Sequence, residues 1–282
     1  ALPNSRARRR RGAICIFIKD PTPEECLEKA LPLRDFRQVA HKGTDIIFKN
    51  RAPYTVSKTD VCNEGFIHWS QNTDGEEVVV KQGYISKGGR FLDTECTQMA
   101  SILLELSHYI DHPPEGIVQI FDVGTKVETD DEHRFFWFVA MEKCDADLFD
   151  LIADQAMSTT EVFALSNALL STLLYLESRG LCYSDMKPEN IFIKDGVYKF
   201  GDPDSIRPLT DKRNTDLYDL AVILYKCLTK DKTLYDPITR HVKIDNCVAD
   251  LIEENTDESL ALAQLIPLLI EVSKNENRPS KV

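Results

Sequence analysis

The spacing of apolar residues changes character midway along the chain, and this change constrains the fold more than any other feature. In the first half, β-branched and aromatic residues gather in short runs: Gly65 to Ser70, Glu77 to Gln82, Ile117 to Val123 and Phe135 to Met141. Pro and Gly clusters at Pro21-Thr22-Pro23, Gly88-Gly89 and Pro113-Pro114 punctuate them, so they read as strands. The acidic stretch Glu128 to Glu132 reads as the hairpin loop between the last two. From Thr159 onward apolar residues recur at helical spacing, first Val162, Leu165, Leu169, Leu173 and Leu176, then Leu220, Ile223, Leu224 and Cys227. A strand-rich part feeding a helical part predicts an α+β fold in two lobes, with a cleft between them.

Charge narrows the function classes. The 282 residues carry a formal net charge of −12, which argues against wrapping a nucleic-acid duplex, because phosphate neutralisation needs basic residues across a whole face. No specific nucleic-acid partner is expected. Five arginines (Arg6, Arg8, Arg9, Arg10, Arg11) make residues 1–12 a basic arm, read as a solvated, disordered end or as a nuclear address, tether or processing site. The apolar run Ala13 to Ile18 is too short for an export signal and reads as a buried strand. Gln264, Pro267 and Glu271 interrupt the apolar stretch Leu260 to Val272, so no membrane span is expected. The eight cysteines stand singly, without metal-ligand spacing, which suits buried thiols in a reducing compartment, cytoplasmic or nuclear.

The chemistry concentrates in Tyr183-Ser184-Asp185-Met186-Lys187-Pro188-Glu189-Asn190, which precedes the apolar strand Ile191 to Ile193. Twelve residues beyond Asn190, after a short strand ending Lys199-Phe200-Gly201, stands Asp202. One loop thus offers a carboxylate, an ammonium and an amide, and the next adds a carboxylate at a strand end. Such a set can position a hydroxyl, neutralise a phosphoryl group and hold Mg²⁺. Taken singly, an Asp or Asn in a loop is far more often a turn or cap residue than a ligand; the ordered set is the signal.

This segment resembles the catalytic loop HRDxKPEN of eukaryotic-type protein kinases, and the resemblance extends over roughly Tyr54 to Ser280. It implies a bilobal fold with residues 54–142 as N-lobe and 143–282 as C-lobe, residues 13–53 being an extension packed on the N-lobe. By the same resemblance Asp185 would take or orient the substrate hydroxyl proton, Lys187 would contact the γ-phosphate, and Asn190 and Asp202 would hold Mg²⁺. Val78-Val79-Val80-Lys81 looks like the strand whose lysine reaches the ATP phosphates, with Glu95 as its ion-pair partner on a helix. Met141-Glu142-Lys143-Cys144 resembles the hinge that reads adenine, Asp147 is a candidate for the ribose, and Gly65, Ile67, Val79 and Phe192 would complete the nucleotide site. Asp216 resembles the buried aspartate that supports the catalytic loop.

Several positions depart from the family pattern. Of the glycine-rich loop only Gly65 survives, in Thr59-Asp60-Val61-Cys62-Asn63-Glu64-Gly65, and Asp60 and Glu64 would repel a triphosphate if they faced it. Asp202-Pro203-Asp204 replaces Asp-Phe-Gly, with Asp204 expected to tolerate the glycine's dihedrals. Tyr183 replaces a histidine and would fill part of the phenylalanine's space in a column with Met99, Ile120 and Pro203. Ser184 replaces the arginine that reads an activation-loop phosphate. Only thirteen residues separate Asp202 from Asp216, so the usual activation segment and peptide platform are missing, and Arg278 lacks its usual partner. The resemblance implies Mg²⁺-dependent transfer of the ATP γ-phosphate to Ser or Thr of a protein substrate. Its alternative is a pseudokinase serving as a regulatory binding module for a protein partner. So reduced a form is compatible with a virus-encoded kinase.

Overall fold

The computed structural model describes residues 36–62, 65–85, 92–127, 135–209, 215–229 and 245–276. The arginine arm, Ala13 to Ile18, Glu64, the Glu128 to Glu132 loop, Arg278 and the side chain of Glu95 lie outside the described residues.

Seven strands form a closed barrel: β1 (Arg37–Lys42), β2 (Asp45–Phe48), β3 (Tyr54–Cys62), β4 (Gly65–Gln71), β5 (Glu77–Ile85), β6 (Ile120–Val127) and β7 (Phe135–Glu142). Their order is β1-β2-β3-β4-β5-β7-β6. All neighbours are antiparallel except the closing pair, where β1 runs parallel to β6 with Arg37 opposite Gly124 and Gln38 opposite Thr125. Closure requires a glycine there: a Cβ on Gly124 would stand 2.7 Å from the Arg37 carbonyl oxygen and 2.6 Å from a Val39 methyl. It also requires Asp122, a buried carboxylate on β6. Asp122 accepts hydrogen bonds from Arg37 at 2.5 Å and the Tyr54 hydroxyl at 2.7 Å, and pairs with Arg51 at 3.0 Å. Residues 36–53 are therefore tied into the same sheet as the strands that follow.

The alternation of side chains along β5 and β7 separates two cores. Val78, Val80, Phe136, Phe138 and Ala140 point into the barrel with Val39, Ile46, Phe48 and Tyr54. The alternate residues of β7, Phe135, Trp137, Val139 and Met141, join the main core with helix α1 (Leu92–Asp111). Burial on both faces explains why β7 is an unbroken apolar run, FFWFVAM.

The main core continues into the helical part. There, β8 (Ala146–Asp147) leads into α2 (Leu148–Asp154), and α3 (Thr159–Ser178) starts at a capping box in which Ser158 and Glu161 satisfy each other's backbone N–H. Short strands β9 (Leu181–Tyr183), β10 (Ile191–Lys194), β11 (Val197–Phe200) and β12 (Ile206–Pro208) carry the loops of interest. Helices α4 (Asp216–Thr229), α5 (Asp245–Glu254) and α6 (Asp257–Glu276) complete the part. The four early strands and the two long helices expected from periodicity all form. Among the described residues no helix is long and apolar enough to cross a membrane.

Candidate active site between the two lobes

A cleft of about 450 Å³ separates the barrel from the helical part. Its roof comes from β4 and β5. Register sets it: Ile67 lies opposite Lys81 and Trp69 opposite Val79, so these four share the barrel's outer face while Val78 and Val80 face inward. The back wall is Met141 to Cys144, the floor includes Phe192, Asn190 and Asp202, and Asp147 and Asp150 stand at one side. The apolar part of this slot can hold a flat ring, and the polar end can receive phosphates, within the volume range common for small-ligand sites.

Lys81 dominates the polar end. Its ammonium is buried and pairs with two carboxylates, Oδ1 of Asp202 and Oδ1 of Asp204, the latter at 2.8 Å. It also stands 5.5 Å from the centre of the Trp137 ring. Burial opposes its charge, but the Asp204 and Asp202 carboxylates outweigh that and raise its pKa. For Asp202, burial pushes the carboxyl up and the Lys81 ammonium overrides it, leaving the group below the usual carboxylate range. Asp202 adopts a left-handed conformation at φ +42°, ψ 59°, and opens a 3₁₀ turn at Pro203–Ser205. The left-handed residue is thus Asp202, not Asp204 as the glycine's usual place suggested.

The loop before β10 is held from several sides. The Asn190 amide nitrogen donates to the Asp185 carbonyl at 2.9 Å and to its carboxylate at 3.0 Å, which leaves the amide oxygen as the acceptor a metal would use. Lys187 donates to the same Asp185 carboxylate at 2.5 Å, and that bond raises the pKa of the ammonium. Below the loop, Asp216 accepts the Tyr183 backbone N–H at 2.8 Å, a supporting position at the start of α4. The Tyr183 hydroxyl donates to the carbonyl of Gly201 at 2.7 Å, beside Asp202, and its ring stacks on Phe200 at 4.5 Å. Desolvation raises the pKa of this buried phenol well above its ordinary value, so it stays a neutral donor. Tyr183 and Ile120 are fully buried in the main core with Met99 packed against it, and Pro203 is buried too. Ser184 bonds the Ser205 carbonyl twice, through its N–H at 3.0 Å and its hydroxyl at 2.8 Å, securing β12 against β9.

Among the hinge residues, Met141 presents an apolar side chain to the cleft. The Glu142 carboxylate accepts from Lys199 at 2.5 Å and from the Gln119 N–H at 2.7 Å, so it anchors the hinge to the body. Cys144 lines the cleft with a thiol pushed up to about 12 by burial and by the Glu142 carboxylate. Asp147 also lines the cleft, while one of its oxygens caps α2 by accepting the Asp150 N–H at 2.8 Å. Gly65 lies apart from the lining. Its φ of +151° and its approach to β5, where a Cβ would stand 2.0 Å from the Gln82 carbonyl oxygen, give it a sheet-packing role. Asp60 accepts from the Trp69 indole at 2.7 Å and from Lys58 at 2.8 Å.

The sequence profile described as the protein kinase domain matches residues 68–213, about half of the chain. The chain belongs to the protein kinase family. It is similar to cyclin-dependent kinase F-3 of Oryza sativa subsp. japonica, at 26% identity over 57% of this chain and 36% of that protein. It is also similar to serine/threonine-protein kinase cds1 of Schizosaccharomyces pombe, at 34% identity over 38% of this chain and 22% of that protein. A third relative is mitogen-activated protein kinase p38b of Drosophila melanogaster, at 24% identity over 56% of this chain and 49% of that protein. The chain spans less than half the length of each of these relatives.

Against this protein kinase frame, the structure brings Lys81, Ile67, Val79, Met141, Glu142, Cys144, Asp147, Phe192, Asn190 and Asp202 to one cleft. Asp185 and Lys187 join it through Asn190. Trp69 and Val118 also line the cleft, beyond the residues the sequence pointed to, and Lys143 lines it from within the expected hinge stretch. Trp69 was within reach, since it shares a strand face with Ile67 two residues before it. Val118 had no local signal, because its place depends on the segment before β6 folding against β11.

Proposed function

We propose that this protein kinase chain transfers the γ-phosphate of ATP to Ser or Thr hydroxyls of protein acceptors with Mg²⁺, and does so without a usual activation loop. The observation that carries the proposal is the convergence at one cleft end of Lys81 from the roof with Asn190 and Asp202 from the floor, beneath an apolar slot. The donor set fits Mg²⁺: an amide oxygen and a carboxylate, with phosphate and water left to complete six positions. When bound, the ion neutralises charge on the phosphate oxygens. Lys81 would pair with the phosphates nearer the nucleoside, through an ammonium already buried and oriented. Asp185, half exposed and steadied by Asn190 and Lys187, would accept the proton of the incoming hydroxyl at its carboxylate. Lys187 would move with the transferring group, since its exposed ammonium is held only through Asp185 among the bonds described for it.

Ser184 supports independence from a phosphate switch. Where the family arginine would wait for a phosphorylated residue, this serine ties β9 to β12 through neutral bonds within the chain. A cytoplasmic or nuclear setting belongs to the same proposal and rests on the scattered cysteines alone.

The test is incubation of purified chain with Mg²⁺, γ-labelled ATP and a basic protein acceptor, beside Asp202→Asn. Label in the acceptor or in the chain itself, lost in the variant, is the expected result. A folded protein that transfers no label under these conditions overturns the enzyme reading and leaves the pseudokinase one.

A further inference from the structure

We propose that Asp204 is a positioning residue that holds the Lys81 ammonium in the cleft while Asp202 turns to a metal ion. This rests on the nucleotide-binding reading above. The turn Pro203–Ser205 brings two carboxylates two residues apart to the same nitrogen, and the two are not equivalent. The Asp202 side chain is 21% exposed and lines the cleft; that of Asp204 is 7% exposed and lies behind it.

The Lys81 side chain is itself only 5% exposed. An ammonium so buried is strongly disfavoured without a counter-ion. In this structure both carboxylates serve. A divalent cation held by the oxygens of Asp202 would compensate that charge and weaken its hold on Lys81. Asp204 stays in place, because Pro203 fixes the backbone before it and the Arg207 guanidinium donates to the Asp204 backbone carbonyl at 2.6 Å. A carboxylate where the family carries glycine thereby separates two tasks, metal ligation by Asp202 and orientation of the lysine by Asp204.

The experiment is titration of the full chain with ADP, with and without Mg²⁺, and with adenosine, followed by thermal shift, on the unmodified protein, Asp204→Asn and Asp204→Glu. Adenosine reports the apolar slot, and ADP adds the groups that Lys81 would meet. Asp204→Asn is expected to weaken Mg²⁺-dependent ADP binding about tenfold or more, with adenosine changed less than about twofold, and Asp204→Glu to recover part of the loss. Unchanged ADP binding in Asp204→Asn overturns the assignment, as does an equal loss for adenosine and ADP, which would mark a general collapse of the cleft. If Asp204→Asn shows no cooperative melting transition, Asp204→Glu decides by the same contrast: a loss confined to ADP supports the role and an equal loss rejects it. Failure of the unmodified protein to bind ADP is a separate result, which removes the nucleotide reading and this inference with it.

Discussion

The roof and the floor of the cleft are built on different principles. The roof is one wall of a barrel whose strands β1 and β2 contribute no residue to the cleft lining, and its stability depends on closure by Gly124 and on the Asp122 cluster. The floor is a set of short loops held by side chains that bond backbone: Asp216 to Tyr183, Tyr183 to Gly201, Ser184 to Ser205. The catalytic-loop motif persists on the floor, while the glycine pattern has gone from the roof. On the floor Tyr183, Ser184, Pro203 and Asp204 alter the loops while Asp185, Lys187, Asn190 and Asp202 keep their spacing, so the placement of the polar groups is what is held, whereas a roof strand must satisfy its sheet before it satisfies a ligand.

Substitutions can break or sharpen this contrast. The largest effect is expected on the floor: Asp202→Asn should lower phosphate transfer by about a hundredfold or more, measured as label incorporated, while the melting temperature changes little by comparison. A comparable loss of activity from a roof change that spares the cleft lining would break the contrast. Asp122→Ala should destabilise the protein by about 2 kcal/mol in denaturant unfolding, because it strands Tyr54 and two arginines at the barrel seam. The arginines are partly exposed, so solvent screening keeps the loss below that of a fully buried pair.

Gly65→Ala follows, at about 1 to 2 kcal/mol, since its Cβ would collide with the Gln82 carbonyl on β5. Its effect should appear in stability more than in the affinity for ADP, and the opposite split would return Gly65 to the nucleotide site. The smallest effect is pH dependence at His68, a buried ring between Thr59 at 2.9 Å and Gln82 at 3.0 Å. Desolvation lowers its pKa in the folded state, so the unfolded chain binds the proton first as pH falls. Stability is therefore full above about pH 6.5 and declines below it; His68→Gln should flatten that decline in unfolding curves taken from about pH 7 to 5.

How much was legible in the sequence differs between the same two regions. On the floor nearly all of it was, because Asp185, Lys187 and Asn190 lie within six residues and Asp202 follows one hairpin later, so local spacing nearly specifies the site. The Glu95 partnership falls outside what the structure describes. On the roof the period-two pattern marked β4, β5 and β7, yet gave no hint that residues 37–48 would close a barrel, since pairing across nearly ninety residues leaves no local trace.

Alternation and helical period were enough to determine an α+β chain, and the resemblance of Tyr183 to Asn190 to the kinase catalytic loop supplied the family and the side chains at the centre of the proposed chemistry. Tertiary structure alone decided that β1 meets β6, that Gly65 packs closely on the Gln82 backbone, that Trp69 and Val118 face the cleft, and that Asp204 shares Lys81 with Asp202. The physical reason is range. Hydrogen-bonded turns and periodic faces are set by neighbours a few residues away, whereas strand closure and the pairing of buried charge depend on which distant segments exclude water together.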